Sequence, residues 1–146
     1  MKNSKNYKLF AILALISASI CAVLSILHDE QLCLYHYSGY SPKIYFAEMN
    51  GFTADEPVLF TFAGIAGVIF SIVLILCKSK KSFLVMSCVL IFIIFVPMTM
   101  FFSAAFWQII LDSFYYCHNK WLMAWGIGLI GFLLSSLLFF IFDQSD

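Results

Sequence analysis

The sequence predicts an all-α integral membrane protein, a four-span transmembrane helical bundle with a cap between helices 1 and 2. Of its 146 residues, 63% are hydrophobic and 11% are charged, whereas soluble domains average about 45–50% and about 25%. Four apolar runs each approach or exceed the roughly 20 residues that a helix needs to cross the hydrocarbon core. The net charge is zero, which argues against a nucleic-acid partner because such binders carry a basic surface.

The four runs are free of charged side chains, and the chain is predicted to form one membrane domain, 1–146. Buried charges mark proton relays and ion paths in membrane proteins, so their absence argues against a proton-coupled transporter. The third run would measure about 43 Å as a straight helix and contains Pro97, so we expect it to kink and to extend beyond the bilayer. The predicted spans are 9–27, 57–77, 83–111 and 121–142.

The positions of the lysines predict the orientation. Lys78, Lys80 and Lys81 form the turn between spans two and three, and three further lysines precede span one. By the positive-inside rule, both termini and this turn face the cytoplasm, while the cap 28–56 and the turn 112–120 face the exterior. The chain is rich in Lys, Ile and Phe and contains no Arg, a composition that fits an A/T-rich genome. We therefore expect a bacterial protein of the inner (plasma) membrane.

The exterior side is predicted to contain one cysteine in the cap, Cys33, and one in the turn between spans three and four, Cys117. Oxidising compartments allow disulfides to form, so these two residues are predicted to bond and to fasten the cap to the turn. The cap is also rich in aromatic residues. Within it, Lys43 to Met49 is predicted to form a short helix on the membrane surface.

A metal site is the alternative use of this region. Histidine and cysteine are common ligands of zinc and copper, and the Cys33-x-x-His36 and Cys117-His118 pairs would converge if the cap folds onto the turn. The two hypotheses exclude each other, because a cysteine in a disulfide offers no thiolate. The candidate ligands are His28, Cys33, His36, Cys117 and His118.

Small residues recur at four-residue intervals in spans one, two and four, and they predict the faces along which the helices pack. Such faces let helix backbones approach closely in a membrane. Span three is bulkier and rich in phenylalanine, so it is predicted to face lipid or a partner. The predicted packing residues are Ala14, Ala18, Ser25, Gly64, Gly67, Ser71, Ala124, Gly128, Gly131 and Ser135.

The sequence contains no phosphate-binding loop and no catalytic motif of the GxSxG or HExxH kind, and no cofactor is expected. We therefore expect a non-catalytic protein that acts by helix packing and protein interaction. It would be an accessory subunit of a membrane complex, or an immunity-type protein against a membrane-inserting toxin. Its partners would be the lipid bilayer and a membrane protein or a second copy. The alternatives are a membrane enzyme or redox or metal protein that uses the exterior Cys, His and acidic cluster, and a small oligomeric pore or lipid-binding carrier.

Overall fold

The computed structural model describes residues 2–27, 33–35, 43–45 and 55–142 and confirms the predicted helical character. Within these residues, three stretches are long and apolar enough to cross a membrane: Asn6–Ser25, Lys80–Pro97 and Lys120–Phe142. A shorter apolar stretch, Phe60–Leu76, lies in the second helix. The elements are α1 (Lys2–Leu27), β1 (Cys33–Tyr35), β2 (Lys43–Tyr45), α2 (Asp55–Leu76), α3 (Lys80–Tyr115) and α4 (Lys120–Phe142).

Aromatic contacts show which helix ends lie together. Tyr7 of α1 stacks on Phe142 of α4 with 5.8 Å between the ring centroids. Phe83, in the first turn of α3, meets Phe139 edge to face at 5.1 Å. The start of α1, the α2–α3 turn and the end of α4 therefore share one end of the molecule. We call it the lysine end, after Lys8, Lys78, Lys80 and Lys81.

The opposite end contains the Cys33–Cys117 bond, and we call it the disulfide end. There Phe60 of α2 meets Trp125 of α4 edge to face, with 5.5 Å between the ring centroids. The four helices run between the two ends, and neighbouring helices are antiparallel. Helix α1 packs against α2 and α4, and α3 packs against the same two helices.

Helix α1 is the most enclosed of the long apolar helices. Ala11, Leu15, Ala18 and Ala22 are all buried, and their spacing of three or four residues places them along one stripe of the helix. The share of buried residues is 39% in the apolar stretch of α1, compared with 22% in α3 and 28% in α4. Small side chains along α1 explain this position, because they allow two neighbouring helices to approach it together.

Helix α3 runs for 36 residues and continues through Pro97. It is about 54 Å long, which exceeds the hydrocarbon thickness of about 30 Å. The helix begins at the N-cap Ser79, whose hydroxyl accepts a hydrogen bond from Ser82 N at 3.1 Å. Proline removes one backbone donor from the ladder, but a helix in a membrane keeps its remaining hydrogen bonds because the apolar surroundings offer no alternative partner.

Part of the cap forms strands rather than a helix. Strands β1 and β2 pair antiparallel, with Leu34 opposite Ile44 and Cys33 opposite Tyr45. The predicted surface helix is therefore wrong for its first three residues, Lys43–Tyr45, and the rest of it, 46–49, lies outside the described residues. A β-branched and an aromatic residue favour a strand. Pairing also supplies hydrogen bonds at once, whereas a new helix must first form a costly nucleus.

Candidate functional site

The disulfide end is organised around the bond between Cys33 of β1 and Cys117, which follows α3. Their Cα atoms lie 6.4 Å apart, within the range that a disulfide spans. The sequence prediction of this pair is confirmed. Since the partners are 84 residues apart, the bond connects the cap directly to the α3–α4 turn.

Ser113 of α3 holds Cys33 in place as well. Cys33 N donates to Ser113 Oγ at 3.0 Å, and the same hydroxyl donates to Cys33 O at 3.4 Å. Both residues are fully buried. One side chain thus satisfies both backbone groups of a buried strand residue, which would otherwise cost free energy to desolvate. The cap strand is fixed to α3 by a covalent bond and by hydrogen bonds at the same point.

The α3–α4 turn is held by backbone bonds to the last turns of α3. Asp112 O accepts from Tyr116 N at 2.8 Å and from Cys117 N at 3.3 Å, and Asn119 N donates to Ser113 O at 3.0 Å. His118 adopts a left-handed conformation, with φ of 56°. This region is reached by few residues other than Gly, among which His is enriched. It lets the chain reverse within the few residues between the two helices.

Asn119 begins α4. Its Oδ1 accepts hydrogen bonds from Trp121 N at 3.1 Å and Leu122 N at 3.0 Å, which is the role of an N-cap. The side chain is fully buried, and its Nδ2 has no hydrogen-bond partner among the described residues. The turn therefore has a buried polar interior beside the disulfide.

The predicted metal site is not formed by its cysteines. Both sulfurs are used in the disulfide, so Cys33 and Cys117 offer no thiolate. His118 is exposed, and the other candidate ligands, His28 and His36, lie outside the described residues. In the part of the chain that the structure describes, no three His, Cys, Asp or Glu side chains are grouped to hold a metal ion.

Helices α1 and α4 approach each other closely at Gly128. A Cβ atom at this position would lie 2.9 Å from Ala18 Cβ, 3.2 Å from Ala18 Cα and 3.3 Å from Ala14 O. Two of these atoms belong to the backbone and cannot move aside. A Cβ at Gly131 would make only an ordinary contact, 3.8 Å from Ala14 Cβ. Ala14 and Ala18 of α1 thus lie against Gly128 and Gly131 of α4, and Gly128 sets the helix separation.

Helices α1 and α2 approach each other closely at Gly64 and Gly67, and Ser19 lies against both. A Cβ at Gly64 would approach Ser19 O at 3.1 Å and Val23 Cγ2 at 2.8 Å, while one at Gly67 would overlap Ser19 Oγ. Ser19 was not among the predicted packing residues. In the structure it lies four residues after the buried Leu15, on the same side of α1.

The remaining predicted packing residues lie on the same helices and are buried or half-buried. Ser25 and Ser71 are buried, and each donates to a carbonyl of its own helix at 2.7 Å, Ser25 to Ala22 O and Ser71 to Gly67 O. Ala124 and Ser135 of α4 are half-buried.

An apolar groove of about 380 Å³ follows the outer side of the α1–α2 contact. The polar side chain in its lining is Ser19, and that hydroxyl donates to Leu15 O at 2.8 Å. The groove therefore presents hydrocarbon and offers no charged group to a polar ligand. Its lining residues are Ser19, Ile20, Val23, Leu24, Gly64, Ile65, Val68 and Ile69.

The lysine end is organised by Lys8. Its ammonium donates to Cys77 O at 2.6 Å and to Ile75 O at 3.3 Å, and it lies 5.8 Å from the centroid of the Phe83 ring. The last carbonyls of a helix lack intrahelical partners and carry partial negative charge. Lys8 therefore stabilises the end of α2 and joins it to α1 and α3. The predicted topology lysines Lys78, Lys80 and Lys81 follow directly in the chain.

Comparisons with protein-family models, with curated proteins and with solved structures find no match. The two ends and the two close helix contacts are thus the features from which a function can be argued. Of these, the disulfide end is the one that combines a covalent bond, buried polar groups and a connection between distant segments.

Proposed function

We propose that the chain is a non-catalytic, four-span protein of the bacterial inner membrane that presents a disulfide-fastened exterior surface to another membrane protein. In this proposal the lysine end and both termini face the cytoplasm, as the positive-inside rule requires. The apolar stretches of α1, α3 and α4 support membrane insertion by their length and composition. The cap and the α3–α4 turn then lie on the side where disulfides persist.

The observation that carries the proposal is the double attachment of β1. Cys33 is bonded to Cys117 and is also held by two hydrogen bonds to Ser113, in a fully buried setting. A surface that is ordered before binding loses less conformational entropy when a partner docks. A cap fixed in this way supports recognition by a protein surface.

The serine hydroxyls within the helices support a packing role for the interior, rather than a catalytic one. Ser19, Ser71 and Ser87 each donate to the carbonyl four residues earlier, at 2.7–2.9 Å. This bond uses the hydroxyl within its own helix. Together with the close Gly64 and Gly128 contacts, it indicates that the interior serves helix association.

The proposal is tested by affinity purification of the tagged full chain in mild detergent, followed by identification of membrane proteins that copurify. We expect a specific partner with the wild type, and loss of that partner with the C33S/C117S variant. The control is C88S, because Cys88 is a free, exposed cysteine on α3. The proposal fails if C33S/C117S recovers the same partner in the same yield, or if the wild type recovers none.

The orientation has its own test. A fluorescent protein fused after residue 146 should be bright, and a phosphatase that requires the periplasm should be inactive at the same position. The reverse pair of results would contradict the proposed topology.

A further inference from the structure

Positive charge is concentrated at the lysine end. Six of the eight lysines lie in the first turns of α1 or in and beside the α2–α3 turn. By sequence, the acids at this end are Asp143 and Asp146, which follow α4 and lie outside the described residues. Six lysines against two aspartates leave an excess of four positive charges.

One of these lysines has an internal role. Lys8 is half-buried, and its ammonium is hydrogen bonded to the carbonyls of Ile75 and Cys77. Its charge is therefore partly balanced by the end of α2. Lys78 and Lys81 differ from it, because both side chains are exposed. Their like charges lie three residues apart in the chain, which favours an anion between or beside them.

The neighbours of these two lysines indicate what kind of anion meets them. Ile75, Leu76 and Val85 are large apolar side chains with 57%, 72% and 57% of their surface exposed. In a bilayer such side chains lie at the level of the acyl chains. Lys78 and Lys81 lie between these residues in sequence, at the turn, and thus reach the level of the lipid phosphates.

We propose that the α2–α3 turn binds the phosphate headgroup of an anionic phospholipid through Lys78 and Lys81. The inference rests on the proposed membrane insertion and adds a partner at the end opposite the cap. Basic residues next to a membrane span attract anionic lipids. Lys8 supports the site indirectly, because it holds the end of α2 against α1 and so fixes where the turn lies.

The experiment titrates the detergent-solubilised full chain with fluorescent phosphatidylglycerol and, as reference, with phosphatidylcholine that carries the same label. We expect tighter binding of phosphatidylglycerol, weakened by salt. Removing a lysine should weaken it about fivefold, so K78Q/K81Q should raise its Kd by about 25-fold. The charge-preserving variant K78R/K81R should bind like the wild type and shows that loss of charge, rather than misfolding, is responsible.

The matched control is K43Q/K120Q, which removes two lysines outside the lysine end and should leave binding unchanged. The C33S/C117S variant should also bind phosphatidylglycerol normally, which separates this proposal from that of the partner surface. The proposal is overturned if K78Q/K81Q binds as tightly as the wild type, or if K43Q/K120Q loses as much affinity. It is also overturned if inorganic phosphate displaces the lipid at equal concentration, since the site would then recognise free phosphate.

Discussion

The two ends of the molecule are held together by different chemistry. At the disulfide end, Cys33 and Cys117 are covalently bonded, and Ser113 and Asn119 are polar residues without exposed surface. At the lysine end, the connections include the hydrogen bonds from Lys8 to the end of α2 and the aromatic pairs beside it. The Lys78 and Lys81 side chains there remain exposed.

The difference shows how each end meets its surroundings. A buried polar cluster is stable only when its geometry is fixed, because an unpaired buried group costs free energy. The disulfide supplies that constraint for the cap. Exposed lysines need no such constraint, since solvent hydrates them. The disulfide end is therefore suited to present a fixed shape, and the lysine end to present charge.

The largest expected effect comes from removing the covalent connection. C33S/C117S should lower the free energy of unfolding in detergent by about 2–4 kcal/mol, because the unfolded chain regains the freedom of a long loop. Thermal unfolding with and without reductant measures the effect, and C88S is the control. Without reductant, the wild type should show three reactive thiols, from Cys21, Cys77 and Cys88, and with reductant five. Five thiols under both conditions would contradict the bond.

A substitution at Gly128, between the two ends, should lower the stability of the whole helix bundle. G128A places a Cβ against backbone atoms of α1, and overpacking of this kind costs about 1–3 kcal/mol. G126A is the matched control on the same helix, because a Cβ there meets nothing within 4 Å. Alanine improves helix propensity at either position, so the difference in free energy of unfolding isolates the contact. Equal stability of the two variants would show that Gly128 does not set the α1–α4 distance.

The two N-caps allow the ends to be compared directly. Asn119 caps α4 with two hydrogen bonds in a buried site, whereas Ser79 caps α3 with one in an exposed site. We expect N119A to cost about 2 kcal/mol and S79A about 0.5 kcal/mol, the high and low parts of the range for N-caps. Denaturant titration in detergent measures both. A larger loss of unfolding free energy for S79A than for N119A would contradict the proposed difference between the ends.

A small effect, close to that of S79A, is expected from Lys8. Replacing it by Met keeps most of the side-chain volume but leaves the last carbonyls of α2 without their ammonium partner, which should cost about 0.5–1 kcal/mol. K78M is the control, because Lys78 is exposed. The melting temperature should fall for K8M and stay within error for K78M. An unchanged melting temperature for K8M would show that the aromatic pairs alone hold the lysine end.

Composition and the length of the apolar runs were sufficient to predict the helices, because every residue of a long apolar run contributes to the signal. The Cys33–Cys117 pair was predictable because lysine placement put both cysteines on one side. Asn119 could also have been found, since Asn directly before an apolar run is an N-cap signal.

Other contacts were not predictable because their partners are distant in sequence. Nothing local to Ser113 indicates that it bonds to Cys33, 80 residues away. Lys8 marks a helix boundary in the sequence, but its carbonyl partners on α2 depend on how α1 packs. The strand at Lys43–Tyr45 escaped prediction because three residues are too short to show a period of two.

The Cys33–Cys117 bond divides the covalent chain into a closed ring and two arms. The ring contains all of α2 and α3, while α1 and α4 are the arms. A protease cut within the ring would leave one covalent molecule until reductant is added, whereas a cut in either arm would give two covalently separate pieces, with or without reductant. The arms pack on each other at Gly128 and Ala18. Since α4 follows α2 and α3 in the chain, this face of α1 stays uncovered until the whole ring has been synthesised.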